Sequence, residues 1–195
     1  AFQRVNGLKE TGAMSAGAAR ALKLSGAPTQ AAPAQPAPQQ PAAVAPRSGS
    51  VNLKRFPVQG HCGFGDTWHQ SRGNGRLHEG VDILAPTGNL LYAVDDGVIT
   101  TQYWDYPGRR SGNGLKLTTA DGTYYVYLHL SGFAPGIAKG SRVKAGDVLG
   151  FVGSTGSSAT PHLHFEIHPG GGAPVNPYPY VKAINDCSNT EARYQ

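Results

Sequence analysis

The chain has 195 residues, with 27 glycines, 15 prolines and only 15% charged side chains. That balance argues against a helical bundle and for a turn-rich β protein, one moderate domain with appendages. The net charge is +5, but no helix-turn-helix, basic run or stacking platform accompanies it, so nucleic acid is not the expected partner.

Residues 1–25 carry Phe2-Gln3, Asn6-Gly7-Leu8 and Thr11-Gly12, then an alanine-rich run to Leu24. Ala13 to Leu24 predicts a short helix, too small to bury a core alone. The chain opens Ala1-Phe2-Gln3-Arg4 without a basic start or apolar stretch, so no signal peptide is expected in it, and no membrane-spanning run occurs. An exported protein would then be represented here by its mature form or a fragment. Residues 26–50 space Pro28, Pro33, Pro36, Pro38, Pro41 and Pro46 through Ala and Gln with no apolar periodicity. That composition predicts an extended, semi-rigid, protease-sensitive linker. The main domain is expected over 51–187, with a tail over 188–195.

Within the main domain, Val51-Asn52-Leu53-Lys54-Arg55-Phe56-Pro57 reads as an opening strand and 60–75 as a loop. His78-Glu79-Gly80-Val81-Asp82-Ile83 reads as a strand closed by Pro86-Thr87-Gly88. Two strands flank Asp95-Asp96-Gly97, and a hairpin turns at Ala120-Asp121-Gly122. In its second arm Tyr124, Val126, Leu128 and Leu130 share one face, and Tyr125, Tyr127 and His129 the other. Residues 136–156 read as short strands and tight turns. They lack G-K-[ST] and a following helix, so they are not a phosphate loop. Gly170-Gly171-Gly172 with Pro174, Pro177 and Pro179 predicts no regular structure on the way to Cys187.

The chemistry concentrates in Pro161-His162-Leu163-His164-Phe165-Glu166-Ile167-His168. Leu163, Phe165 and Ile167 alternate with His162, His164, Glu166 and His168, the period of a half-buried strand. Two imidazoles two residues apart on one strand face suit a metal. His78 and Asp82, four apart, share a face on a strand or a helix, and the strand is preferred. One nitrogen and one oxygen from that stretch, with one nitrogen from the later strand, make three protein ligands. Catalytic zinc uses three and keeps its fourth position for water.

H-x-x-x-D followed by H-x-H in a glycine-rich β pattern resembles the lysostaphin-type (LytM-like) zinc endopeptidases that cut peptidoglycan. The resemblance runs in order over roughly residues 53–180. It covers Phe64-Gly65, His78 to Ile83, Pro86-Thr87-Gly88, Tyr127-Leu128-His129-Leu130, Gly150-Phe151-Val152-Gly153-Ser154-Thr155-Gly156 and Pro161 to Glu166. It implies a mostly β fold, an antiparallel sandwich-like domain of the duplicated-hybrid-motif type. It implies Zn2+ held by His78, Asp82 and His164. It implies that His129 and His162 are the catalytic pair, one of them the base that deprotonates the water. The implied substrate is peptidoglycan, an anionic polymer that a basic surface suits. The implied setting is secreted or cell-envelope, and a monomer is expected. Residues 1–25 resemble the closing half of a small helical peptidoglycan-binding domain.

Other residues follow from the same reading. Glu79 is not the base: position 82 is not histidine, and strand alternation turns Glu79 away. Glu166 either orients a ligand from behind or is a solvated carboxylate. His61, His69 and His168 are expected at the surface. Family members often carry an aromatic or arginine near the oxyanion, and Trp68, His69 and Arg72 are the candidates here. Cys62 and Cys187 bracket the domain, have no CxxC neighbour, and are expected to form a disulfide in an extracytoplasmic setting. Two rivals are weaker. A catalytically dead wall-binding relative would have lost ligands, and a phosphocarrier has no use for Asp82 at ligand spacing.

Overall fold

The computed structural model describes residues 51–188. The helix expected in 1–25, the linker over 26–50 and the tail beyond residue 188 lie outside the described residues. Ten strands are present among the described residues: β1 (Gly63–Phe64), β2 (Val81–Leu84), β3 (Leu90–Tyr92), β4 (Gly97–Tyr103), β5 (Asn113–Thr118), β6 (Tyr124–Leu130), β7 (Gly132–Phe133), β8 (Arg142–Val143), β9 (Val148–Phe151) and β10 (His162–His168). They form a seven-stranded sheet, in the order β1-β2-β10-β6-β5-β4-β8, and a three-stranded sheet, β3-β9-β7. The fold is mostly β and antiparallel, as the alternation and the turn spacing require.

Alternation builds the core. From the large sheet, Val81, Ile83, Ile99, Leu115, Leu117, Tyr125, Tyr127, Leu163, Phe165 and Ile167 are fully buried, and Leu91 and Leu149 join them from the small sheet. A buried phenol needs a hydrogen-bond partner, and Tyr127 Oη accepts one from the Val94 amide at 3.1 Å. Cys62 and Cys187 form the expected disulfide across a sequence separation of 125, with Cα atoms 4.9 Å apart.

Four local expectations are corrected. Val51 to Pro57 is not a strand: Leu53 and Phe56 reach the core from irregular backbone, and pairing is limited to an isolated bridge, Val58 to Leu91. Pro57 has no N–H to give a ladder, though its carbonyl accepts from Tyr92. The strand around Asp82 begins only at Val81, so His78 lies in the loop before it. Tyr178–Ala183 is a short helix, α1, despite its proline. Pro179 sits in the first turn, where an N–H would have no acceptor, and fully buried Val181 anchors it. The fourth correction concerns β6. Asn113 pairs with Leu130 but the next residue, Gly114, pairs with Leu128. His129 is therefore the extra residue of a β-bulge, with φ +67°. Past it the faces exchange, so Leu130 joins Tyr125 and Tyr127 in the core and His129 leaves their face.

Candidate metal and catalytic site

β10 lies between β2 and β6 and supplies the floor of the site. Its apolar face is fully buried, so His162, His164 and Glu166 must project from the other. The register with β2 sets His164 directly opposite Asp82. On the other side β6 contributes His129 through the bulge. His78 arrives from the loop before β2, and Gly80 allows its approach. A Cβ at Gly80 would lie 2.6 Å from the Phe165 carbonyl oxygen and 2.7 Å from His164 Cε1.

Three ligand atoms converge. His78 Nε2 is 2.9 Å from His164 Nδ1, and each is 3.0 Å from Asp82 Oδ1. A tetrahedral zinc with bonds of about 2.0–2.1 Å spaces its ligand atoms about 3.3 Å apart, close to this triangle. The tautomers agree. His78 Nδ1 donates to the Thr67 carbonyl at 2.8 Å, and His164 Nε2 donates to Glu166 Oε1 at 2.9 Å. Each ring thereby turns a lone pair toward Asp82. Two lone pairs and a carboxylate oxygen at this range repel one another unless a cation sits among them, so the donor set fits a metal ion. His78, Asp82 and His164 form the one such group among the described residues.

The electrostatics point the same way. Burial opposes charge on Asp82, but with a proton in place of the metal the hydrogen bonds from His164 and His78 override it and hold the carboxyl well below its usual range. Burial likewise opposes charge on His164, yet Asp82 and Glu166 raise its pKa to about 9. Surroundings that favour a proton on that nitrogen favour a metal cation there too. Glu166, lowered to about 2, resists burial through His164 and His168.

His129 and His162 stand beside the triangle with ring centroids 4.7 Å apart. His129 Nδ1 donates to the Thr155 carbonyl at 2.8 Å, and His162 Nδ1 donates to the Thr160 carbonyl at 2.7 Å. Both rings thus keep Nε2 free for proton transfer, and His162 Nε2 is 3.6 Å from Asp82 Oδ1. Burial lowers the His129 pKa to about 4, so this ring is neutral near pH 7. A cleft of about 740 Å³ covers all five residues, with Leu77, Leu84, Arg110 and Ser158 on its walls.

The structure brings all five expected site residues together. Glu79 is exposed and outside the triangle, though by loop geometry rather than by strand alternation. Glu166 is behind His164, not in solvent. His168 corrects the expectation of a surface histidine. It is 7% exposed, stacks on Tyr124 at 4.1 Å and binds Glu166 Oε2 at 2.9 Å. The shared face of Glu166 and His168 on one strand was the available signal. His61 and His69 are exposed, His69 stacked on Trp68 at 4.3 Å. Of the three oxyanion candidates, Arg72 is engaged elsewhere, in an ion pair with Asp82 Oδ2.

The model of peptidase family M23 matches residues 76–177. Over 116 residues the chain is 44% identical to the DD-carboxypeptidase/endopeptidase Mpg of Neisseria meningitidis serogroup B, covering 58% of this chain and 25% of that protein. It therefore spans about a quarter of that relative's length. The catalytic domain of the antimicrobial peptidase lysostaphin from Staphylococcus simulans superposes with a TM-score of 0.53 and 34% identity, over 62% of this chain and 91% of that one. A zinc-containing peptidase from Vibrio cholerae superposes with a TM-score of 0.52 and 27% identity, over 70% and 40%.

Proposed function

Since the chain belongs to peptidase family M23, we propose that it is a zinc-dependent endopeptidase hydrolysing peptide bonds in peptidoglycan stem peptides or cross-bridges. The observation that carries this reading is the triangle of His78 Nε2, Asp82 Oδ1 and His164 Nδ1 beside two histidines with free Nε2 atoms. His78, Asp82 and His164 hold the metal. Bound zinc supplies a water of pKa near 7 and a Lewis acid for the scissile carbonyl.

His129 and His162 handle the protons. Peptide hydrolysis needs one taken from the attacking water and one given to the leaving amine. His129, kept neutral by burial, is suited to accept at Nε2. Its Nδ1 bond to Thr155 fixes the tautomer that does so. His162 is fixed in the same way by Thr160 and faces the same space. A ring that has accepted a proton is also a cation beside the developing oxyanion.

Residues 51–187 form the peptidase domain, with 1–25 belonging to a wall-binding module and 26–50 its linker. The protein acts as a monomer outside the cytoplasm. The Cys62–Cys187 disulfide supports an oxidising compartment. No helix among the described residues is long and apolar enough to cross a membrane.

The test is release of soluble fragments from purified sacculi by the full chain, with peptide products weighed by mass spectrometry. Activity should vanish on treatment with a zinc chelator and return with added zinc. Intact sacculi after incubation with a zinc-loaded, folded protein would refute the reading.

A further inference from the structure

Each of the three converging ligands is held from behind by a second group. His164 is held by Glu166 on its own strand. The other two outer partners come from one short loop. The Thr67 carbonyl binds His78, and Arg72 Nη2 forms an ion pair with Asp82 Oδ2. The loop is a tight hairpin. His69 N bonds His78 O at 2.8 Å, His78 N bonds Gln70 O at 2.9 Å, and Arg72 N bonds Arg76 O at 2.9 Å. Its tip, Gly73-Asn74-Gly75, turns entirely at positive φ. Arg76 closes it from the side, its guanidinium donating to the Arg72 carbonyl at 3.0 Å.

A carboxylate can offer a metal one oxygen or both. In Asp82 the two are divided. Oδ1 faces His78 Nε2 and His164 Nδ1 at 3.0 Å each, while Oδ2 is taken by Arg72. The side chain of Asp82 is 17% exposed and that of Arg72 is 37% exposed. The Arg72 end of the pair is open to solvent, which limits what the pair adds to global stability. Its effect is local, on the orientation of one carboxylate.

We propose that Arg72 is a positioning residue that clamps the outer oxygen of Asp82, so that the carboxylate serves the metal through Oδ1 alone, and that the 67–78 hairpin is thereby a metal-retention element. This rests on the metal reading given above. It also removes Arg72 from direct contact with the substrate oxyanion, since its guanidinium is committed to Asp82.

The experiment measures zinc affinity by chelator competition and the absorption spectrum of the cobalt(II)-substituted protein, using the full chain. The variants are Arg72→Gln, Arg72→Lys and Arg76→Ala. Loss of a partner behind a metal ligand typically weakens binding 10–100-fold. R72Q should show that loss, with faster zinc release and a changed cobalt spectrum, at an unchanged melting temperature of the metal-free protein. R72K should recover part of it, because the charge remains and the planar fork does not. R76A should stay within about threefold of wild type, because it loosens the hairpin and leaves the clamp in place. R72Q within threefold of wild type would overturn the role, and so would R76A losing as much affinity as R72Q. Lost hydrolysis in R72Q at unaltered zinc affinity and spectrum would also overturn it, placing Arg72 on the substrate instead. A folded wild-type chain that binds no zinc would overturn the metal reading itself, and this role with it.

Discussion

Replacing Gly80 by alanine should damage the metal site before it damages the fold. The added Cβ would stand 2.6 Å from the Phe165 carbonyl oxygen, and 2.7 and 2.8 Å from Cε1 and Nε2 of the His164 ring. The carbonyl cannot retreat, because Phe165 is paired with Val81 on one side and Tyr127 on the other. The ring cannot swing away without breaking its bond to Glu166 at 2.9 Å. Relief must come from the 78–80 segment moving outward, which carries His78 off the triangle. Overpacking of this kind costs about 1–3 kcal/mol. For a domain of this size that is a fall in melting temperature of roughly 3–12 °C. Zinc affinity should fall as well, since His78 Nε2 now lies 2.9 Å from its partner nitrogen. The assay is differential scanning calorimetry of the metal-free protein with chelator competition for zinc. Gly63→Ala is the control, since a Cβ there meets nothing within 4 Å. Gly80→Ala with wild-type melting and wild-type zinc affinity would refute the close-approach argument.

The remaining predictions concern the histidines, the disulfide and a buried phenol. His164→Ala should lose zinc and activity together, whereas His129→Ala and His162→Ala should keep zinc and lose about 10²–10⁴-fold in activity. Zinc per protein alongside sacculus hydrolysis decides this, and zinc lost from His162→Ala but kept in His164→Ala would invert the assignment. Removing the disulfide through Cys62→Ala with Cys187→Ala should cost about 5 kcal/mol by the chain-entropy account of a loop this long. Denaturant unfolding checks it, and a change below 1 kcal/mol would mean that the two segments stay together unaided. Burial holds the Tyr127 pKa well above 10. The unfolded chain releases that proton near pH 10 and the folded one keeps it. Stability is therefore full below pH 10 and falls as pH rises beyond it, by about 1.4 kcal/mol per pH unit for this group. Tyr127→Phe should remove that contribution to the slope measured by urea unfolding between pH 9 and 11.5, and an unchanged slope would refute it.

Most of the site was legible because it rests on β10, where alternation alone separates Leu163, Phe165 and Ile167 from His162, His164 and Glu166. A period of two survives any tertiary context that keeps the strand half-buried. The faces of β6 are not legible in the strand's own residues. The bulge at His129 is set by its register against Asn113 and Gly114, which are distant in sequence, and nothing local announces a positive φ at a histidine. The helix Tyr178–Ala183 is hidden by its proline content, because proline breaks a helix interior but is tolerated in the first turn, where Pro179 falls. The burial of His168 is not legible locally, because its partners are a neighbour's outer oxygen and the Gly172 carbonyl, a contact made only once the chain folds back after β10.

Two of the corrected features, His78 in the loop before β2 and the bulge at His129, share a cause with the site. A flat sheet can present ligands only at the spacing of its strands, and directly opposed residues such as His164 and Asp82 use that spacing. The remaining contributors cannot come from regular strand positions. His78 arrives from the hairpin before β2, where Gly80 permits a close approach to β10, and His129 is turned across by a bulge. Irregular backbone is expected where a rigid scaffold must aim side chains at a point the scaffold does not reach. The sheet thus fixes one nitrogen and one oxygen to the precision of its ladder. The loop sets the third ligand and, through Arg72 and Thr67, holds two of the three from behind. Loss of a loop group that holds a ligand, as in R72Q, should then act on metal affinity with little effect on melting, and a lesion in β10 should act on both. That asymmetry separates a retention element from a structural one.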